Sequence, residues 1–213
     1  SSVGLSDYLG RMHEGQKAIY YLTGESLAAV RNSPHLEVFR QRNIEVLLLA
    51  EPVDEWLVAH LTEFKGVPLQ SVAKGDLEID ELGGADGENP KQPETTESVE
   101  ALIGRVGDAL GDRVSAVRAS SRLTDSPACI VVGDHEFGLN MQRMLKAAGH
   151  ELPQQQPVLE INPQHSIIQR LAEDEDAAID EWAALLLEQS MLMDGGRLED
   201  PASFVRRMNR LLD

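Results

Sequence analysis

Six histidines, a lone cysteine and one run of four carboxylates are the residues of this chain best equipped for chemistry, and their spacing argues against it. His13, His35, His60, His135, His150 and His165 are scattered, with no pair at i, i+4 and no cysteine at zinc-ligand spacing, so no metal site is predicted. No Gly-x-Ser-x-Gly occurs, and a serine nucleophile would lack the strained turn that exposes it. Gly104, Gly107 and Gly111 imitate a nucleotide loop, yet they fall inside a helical pattern and follow an acidic stretch rather than a strand. Thr23-Gly24-Glu25-Ser26 does lead from a strand into a helix, but Glu25 would repel a phosphate, and capping by Ser26 is the simpler role. Glu173-Asp174-Glu175-Asp176 reads as a solvated helix start favoured by the dipole, not as an acid–base pair. Cys129, inside Ala128-Cys129-Ile130-Val131-Val132, reads as a core residue rather than a reactive thiol. No catalytic residue is predicted.

Apolar surface is the stronger signal. Phe137, Met141, Met144, Leu145 and Ala148 recur at i, i+4, i+7, i+8 and i+11 of a helix predicted to run from a cap at Asp134 to Gly149, with Gln142, Arg143 and Lys146 opposite. Such a stripe is either core or an adaptable face of flexible, polarisable side chains that many partners can use. Trp56 poses the same choice earlier in the chain. Two further apolar helices end the sequence, separated by Gly195-Gly196. The first carries Ile179, Trp182, Leu185, Leu186, Leu187, Met191, Leu192 and Met193, and the second Phe204, Val205, Met208, Leu211 and Leu212. Asp200 can cap the second helix, with Pro201 at its first position. Two short helices cannot enclose their own apolar faces. They pack onto the preceding domain, or they meet their twin in a second chain as a four-helix bundle.

The elements that must position these faces divide the chain. Between Lys17 and Lys74 short apolar runs (18–22, 46–49, 67–72) alternate with helices (27–31, 36–40, 53–64), which predicts a small α/β layer domain over 1–75 with parallel strands, the run at 46–49 fully buried. Residues 76–98 form an acidic linker. From Asp76 to Glu100 nine acids face Lys91 alone, amid glycines and prolines, and a mobile segment over 82–95 is expected. From 99 to 213 an α+β domain is predicted: a helix 99–110, strands 114–118 and 128–132 joined as a hairpin or meander, the striped helix, a strand 158–161, a short helix 167–171 and the terminal pair.

Acids outnumber bases by 36 to 19, for a net charge of −17 and a pI near 4.7, so nucleic-acid backbones and anionic membranes are poor partners. With no long uncharged apolar window and no leader pattern, the chain is expected to be soluble and cytoplasmic, and the single cysteine suits a reducing compartment. An opening Ser1 suggests a cut through a longer protein.

Several segments together resemble the ninety-kilodalton heat-shock chaperone family in its bacterial form: Ser33-Pro34-His35-Leu36-Glu37, Glu45-Val46-Leu47-Leu48-Leu49, Asp54-Glu55-Trp56, Arg122 to Ala128, Leu159-Glu160-Ile161-Asn162-Pro163 and Leu198-Glu199-Asp200-Pro201. Gly10-Arg11-Met12 and Arg206-Arg207-Met208-Asn209 extend the match nearly end to end. The resemblance implies that residues up to about Lys74 are the last part of a middle domain and that Val99 onward is a C-terminal dimerisation domain. It implies a homodimer through Ile179, Trp182, Leu186, Met193, Phe204, Val205, Met208, Leu211 and Leu212. It also implies capture of partly unfolded client proteins by Trp56, Phe137, Met141, Met144 and Leu145, with other chaperones as further partners. ATP and magnesium belong to the full-length family, whose nucleotide domain and γ-phosphate arginine are expected upstream of Ser1, so no cofactor and no ATPase activity are expected here. Two rival readings stand beside this one: a small α/β enzyme with an unrecognised site, and a dimeric scaffold that binds no client.

Overall fold

The computed structural model describes residues 4–77, 95–133, 136–151, 155–174 and 177–212. The predicted cap at Asp134, most of the predicted linker and the carboxylates Glu175 and Asp176 lie outside the described residues.

The first half is built on a four-stranded sheet. Helix α1 (Leu5–Leu9) pins the entry of the chain: the buried Tyr8 hydroxyl donates to the Glu45 carbonyl at 2.7 Å and accepts from Gln16 Nε2 at 2.9 Å. Strand β1 (Ile19–Thr23) follows, then α2 (Leu27–Arg31), where the Ser26 hydroxyl accepts from the Ala29 amide at 3.2 Å as the sequence predicts. A short 3-10 turn at Pro34–Leu36 leads into α3 (Glu37–Gln41), and after it come β2 (Leu47–Leu49), α4 (Pro52–His60), β3 (Glu63–Phe64) and β4 (Val67–Ser71). The order is β2-β1-β4-β3, with β1 parallel to both β2 and β4. Tyr20, Leu22, Val30, Val38, Phe39 and Val72 fill the core beneath it, with the Tyr20 and Phe39 rings 4.9 Å apart.

Two expectations change. The predicted helix 53–64 stops at His60, because Lys65 and Gly66 take positive φ (52° and 80°) and turn the chain into a β3–β4 hairpin that includes Phe64. The run ending in β2 is half-buried rather than fully buried, since it forms the edge of the sheet.

The second half holds α5 (Glu97–Leu110), β5 (Ala116–Ala119), β6 (Ala128–Val131), α6 (Leu139–Ala147), β7 (Val158–Ile161), α7 (Ser166–Glu173), α8 (Ile179–Met193) and α9 (Pro201–Leu212). Thr96 caps α5, two residues inside the predicted linker, and Gly111 ends it at φ 49°, where a side chain would be strained. Strands β5 and β6 form no hairpin: β7 lies between them, parallel to β5 and antiparallel to β6. Leu102, Val106, Ile130, Leu159, Ile168 and Leu186 are the centre of this core. Helix α8 therefore packs its wide apolar face on α5 and β6 of its own chain. The apolar surface expected to await a partner along α8 is largely covered within the chain.

The halves are in contact. The Val38 amide donates to the Arg122 carbonyl at 3.2 Å, and the Gly75 amide to the Val132 carbonyl at 2.9 Å. The Glu37 carboxylate accepts from the amides of Thr124, Asp125 and Ser126 at 2.7 to 3.2 Å and from the Ser126 hydroxyl at 2.5 Å. Arg122 spans the same boundary, donating to the carbonyls of Val72 (2.7 Å) and Gly75 (2.9 Å).

Candidate interaction surfaces

Helix α4 begins with Pro52 at a position that loses no hydrogen bond, and the Asp54 carboxylate accepts from the Glu51 amide at 2.9 Å. None of its residues is buried. Val53, Trp56 and Leu57, at i, i+3 and i+4, form an apolar strip facing water, with Trp56 46% exposed. Trp56 was legible in the sequence as a candidate; Val53 and Leu57 join it, and their helical spacing was the available signal.

The stripe on α6 divides between two environments. Phe137, just before the helix, is 41% exposed, whereas Met141 is only 4% exposed and belongs to the interior. Met144 and Leu145 are half-buried. Met141 thus fails as a surface contact, because the helix turns that position inward. The helix begins at Leu139, with Gly138 as its cap residue. Polar contacts fix it on three sides. Asn140 Nδ2 donates to Glu55 Oε1 at 2.9 Å, beside Trp56 on α4. Arg143 donates from Nη2 to Asn140 Oδ1 at 2.7 Å, and from Nη1 to Glu25 Oε2 at 2.7 Å and to the Gly195 carbonyl at 3.1 Å.

Of the residues expected at a pairing interface, Leu186 is 1% exposed and sealed in the core of its own chain, and Ile179 and Trp182 lean on that core. Met193 and its neighbour Leu192 are exposed at the end of α8. On α9, Val205 is 47% exposed and Phe204, Met208 and Leu211 are half-buried; the Leu212 side chain lies outside the described residues. The helix is attached by charge: Arg207 pairs with Glu181 at 3.1 Å and Glu188 at 2.5 Å, and Arg210 with Glu181 at 2.9 Å. Its start is capped as predicted, with the Ser203 amide donating to Asp200 Oδ1 at 3.0 Å, and the Ser203 donors hold the Asp200 carboxyl below its ordinary value.

A polar cavity of about 260 Å³ lies among Asp76, Thr95, Arg118, Ser120, Arg122 and Glu160. Its cations are already engaged: Arg118 pairs with Asp76 and Glu160, and Arg122 with Glu160. Among the described residues no group of three or more histidine, cysteine or acidic side chains is placed to hold a metal ion. Gly104 and Gly107 lie inside α5, so they do not shape a phosphate loop.

The family model described as Hsp90 protein matches residues 1–213. The chaperone protein HtpG of Halorhodospira halophila is 58% identical over 210 residues, which cover 99% of this chain and 33% of that protein. Its counterparts in Alkalilimnicola ehrlichii and Bordetella avium are 56% and 52% identical, again over 99% of this chain and 32% and 33% of their own lengths. The chain spans about a third of the curated relatives it matches.

Proposed function

The chain belongs to the Hsp90 protein family, and from that premise we propose that it supplies homodimerisation and the capture of partly unfolded proteins to a longer chaperone. The observation that carries this reading is that α4 and the segment leading into α6, with Glu55 of α4 bonded to Asn140 of α6, both turn large apolar side chains to water. Scattered exposed apolar residues need no explanation, but Val53, Trp56 and Leu57 on one strip, with Phe137 on the adjoining element, form a face that an unfolded segment can cover. Pairing is assigned to the outer side of the terminal hairpin. Helix α9 has Val205 in water and its other described apolar side chains only half-covered, and Leu192 and Met193 are exposed at the end of α8. A four-helix arrangement with a second copy would cover these residues. Relative to the expectation from sequence, the interface shrinks: Leu186 leaves it, and Ile179 and Trp182 become supports rather than contacts.

In this reading the chain performs no catalysis of its own. ATP and magnesium are assigned to another part of the longer protein. No helix among the described residues is long and apolar enough to cross a membrane. A net charge of −17 favours neither nucleic acid nor anionic lipid, and the cytoplasm is the proposed compartment, with other chaperones as further partners.

Sedimentation equilibrium of the chain, intact and cut before Asp200, tests the pairing: the intact chain is expected as a dimer at micromolar concentration and the shortened one as a monomer. Suppression of aggregation of an unfolded protein by the chain and by its Trp56→Ala variant tests the capture. A shortened chain that still dimerises removes α9 from the proposal, and a chain that dimerises without suppressing aggregation is a scaffold.

A further inference from the structure

Helix α6 reaches both proposed surfaces through two bonded side chains, Asn140 towards α4 and Arg143 towards the α8–α9 turn. Arg143 reaches back to Asn140, which holds Glu55 beside Trp56, and forward to the Gly195 carbonyl in the turn between α8 and α9. Gly195 takes φ 78° there, so the turn depends on a left-handed residue whose carbonyl Arg143 holds. The same guanidinium also meets Glu25, at the entry to α2. The residue before Gly195 faces the first half as well: Asp194 Oδ1 lies 3.6 Å from the Nε2 of His35, which is 1% exposed. The Nδ1 of that ring is buried and has no hydrogen-bond partner among the described residues. Polar contacts thus hold this junction, with one buried ring nitrogen among them lacking a partner.

We propose that Arg143 is a positioning residue that couples the apolar face of α4 and α6 to the α8–α9 turn, so that covering that face changes how tightly two copies pair. The inference rests on the functional reading above. If a bound segment shifts α6, the fork on Arg143 cannot keep Asn140, Glu25 and Gly195 together, and the turn that aims α9 moves with it. Linkage makes the effect reciprocal: pairing alters affinity for the bound segment by the same factor.

The test uses the whole 213-residue chain and a permanently unfolded probe, reduced and carboxymethylated α-lactalbumin. The dimer dissociation constant is measured by sedimentation with and without saturating probe, and is expected to shift by about fivefold or more in either direction. In Arg143→Ala dimerisation and probe binding are both expected to persist, each at an altered affinity when measured separately, while the shift of one by the other disappears. Arg143→Lys keeps a cation on a long stem but cannot span three acceptors. It is expected to lose the shift too, and it serves if the alanine variant does not melt cooperatively. A parent chain that dimerises and binds the probe with no shift overturns the inference, as does a shift that survives in a folded variant. A parent that stays monomeric or ignores the probe refutes the functional reading itself, and the coupling with it.

Discussion

Arg122 and Glu160 form a two-toothed ion pair with both side chains almost wholly out of water, Nε 2.9 Å from Oε2 and Nη2 3.1 Å from Oε1. Two further guanidinium N–H groups donate to the Val72 and Gly75 carbonyls, so one buried cation joins the centre strand of the second sheet to the end of the first half. Removing it leaves a buried carboxylate with only Arg118 and Ser120 beside it, and two carbonyls without their donor. Arg122→Ala is expected to cost about 3 kcal/mol or more in urea unfolding. Arg122→Met combined with Glu160→Gln is expected to cost much less than the sum of the two single changes, because no charge is then stranded.

Burial separates two methionine and tryptophan substitutions that the sequence would group. Met141→Ala empties interior space and is expected to destabilise the chain by about 2–4 kcal/mol. Trp56→Ala is expected to stay within about 0.5 kcal/mol of the parent while weakening capture of an unfolded probe. Chemical denaturation and a probe-binding titration on the same samples separate the two effects.

Val205 faces water at a helix surface, so Val205→Asp leaves folding intact and places a carboxylate where a second copy would pack. A rise of at least about tenfold in the dimer dissociation constant is expected by sedimentation, with the unfolding midpoint of the diluted monomer unchanged.

Burial pushes the Cys129 thiol well above its ordinary value of 9.0. The raised value favours the neutral thiol in the folded chain. That contribution to stability is fully present below 9.0 and is lost as pH rises through the folded value. Alkylation by iodoacetamide at pH 8 is therefore expected to run at least about tenfold slower in the native chain than in urea.

Much of the first sheet was legible because β1, β2 and β4 are short apolar runs flanked by helical patterns. The β3–β4 hairpin was not, although Phe64-Lys65-Gly66-Val67 carries a turn signal, because the apolar spacing from Trp56 to Phe64 also suits a longer helix. Periodicity placed Phe137 and Met141 on one stripe but could not say which of them the chain would cover. It likewise showed that α8 needed a cover without identifying α5, whose Leu102 and Val106 lie about eighty residues earlier. The buried Arg122–Glu160 pair was not legible, because nothing local marks an arginine in a turn and a glutamate in an apolar strand as partners.

The central position of β7 has a consequence for synthesis on the ribosome. Residues 116–119 and 128–131 emerge with unpaired edges, and the strand that joins them is finished only when Ile161 has been made. A nascent chain stalled near residue 150 thus holds two bare strands that match the segment it has yet to receive. In a crowded cell, such an intermediate can also pair with the corresponding segment of a neighbouring copy.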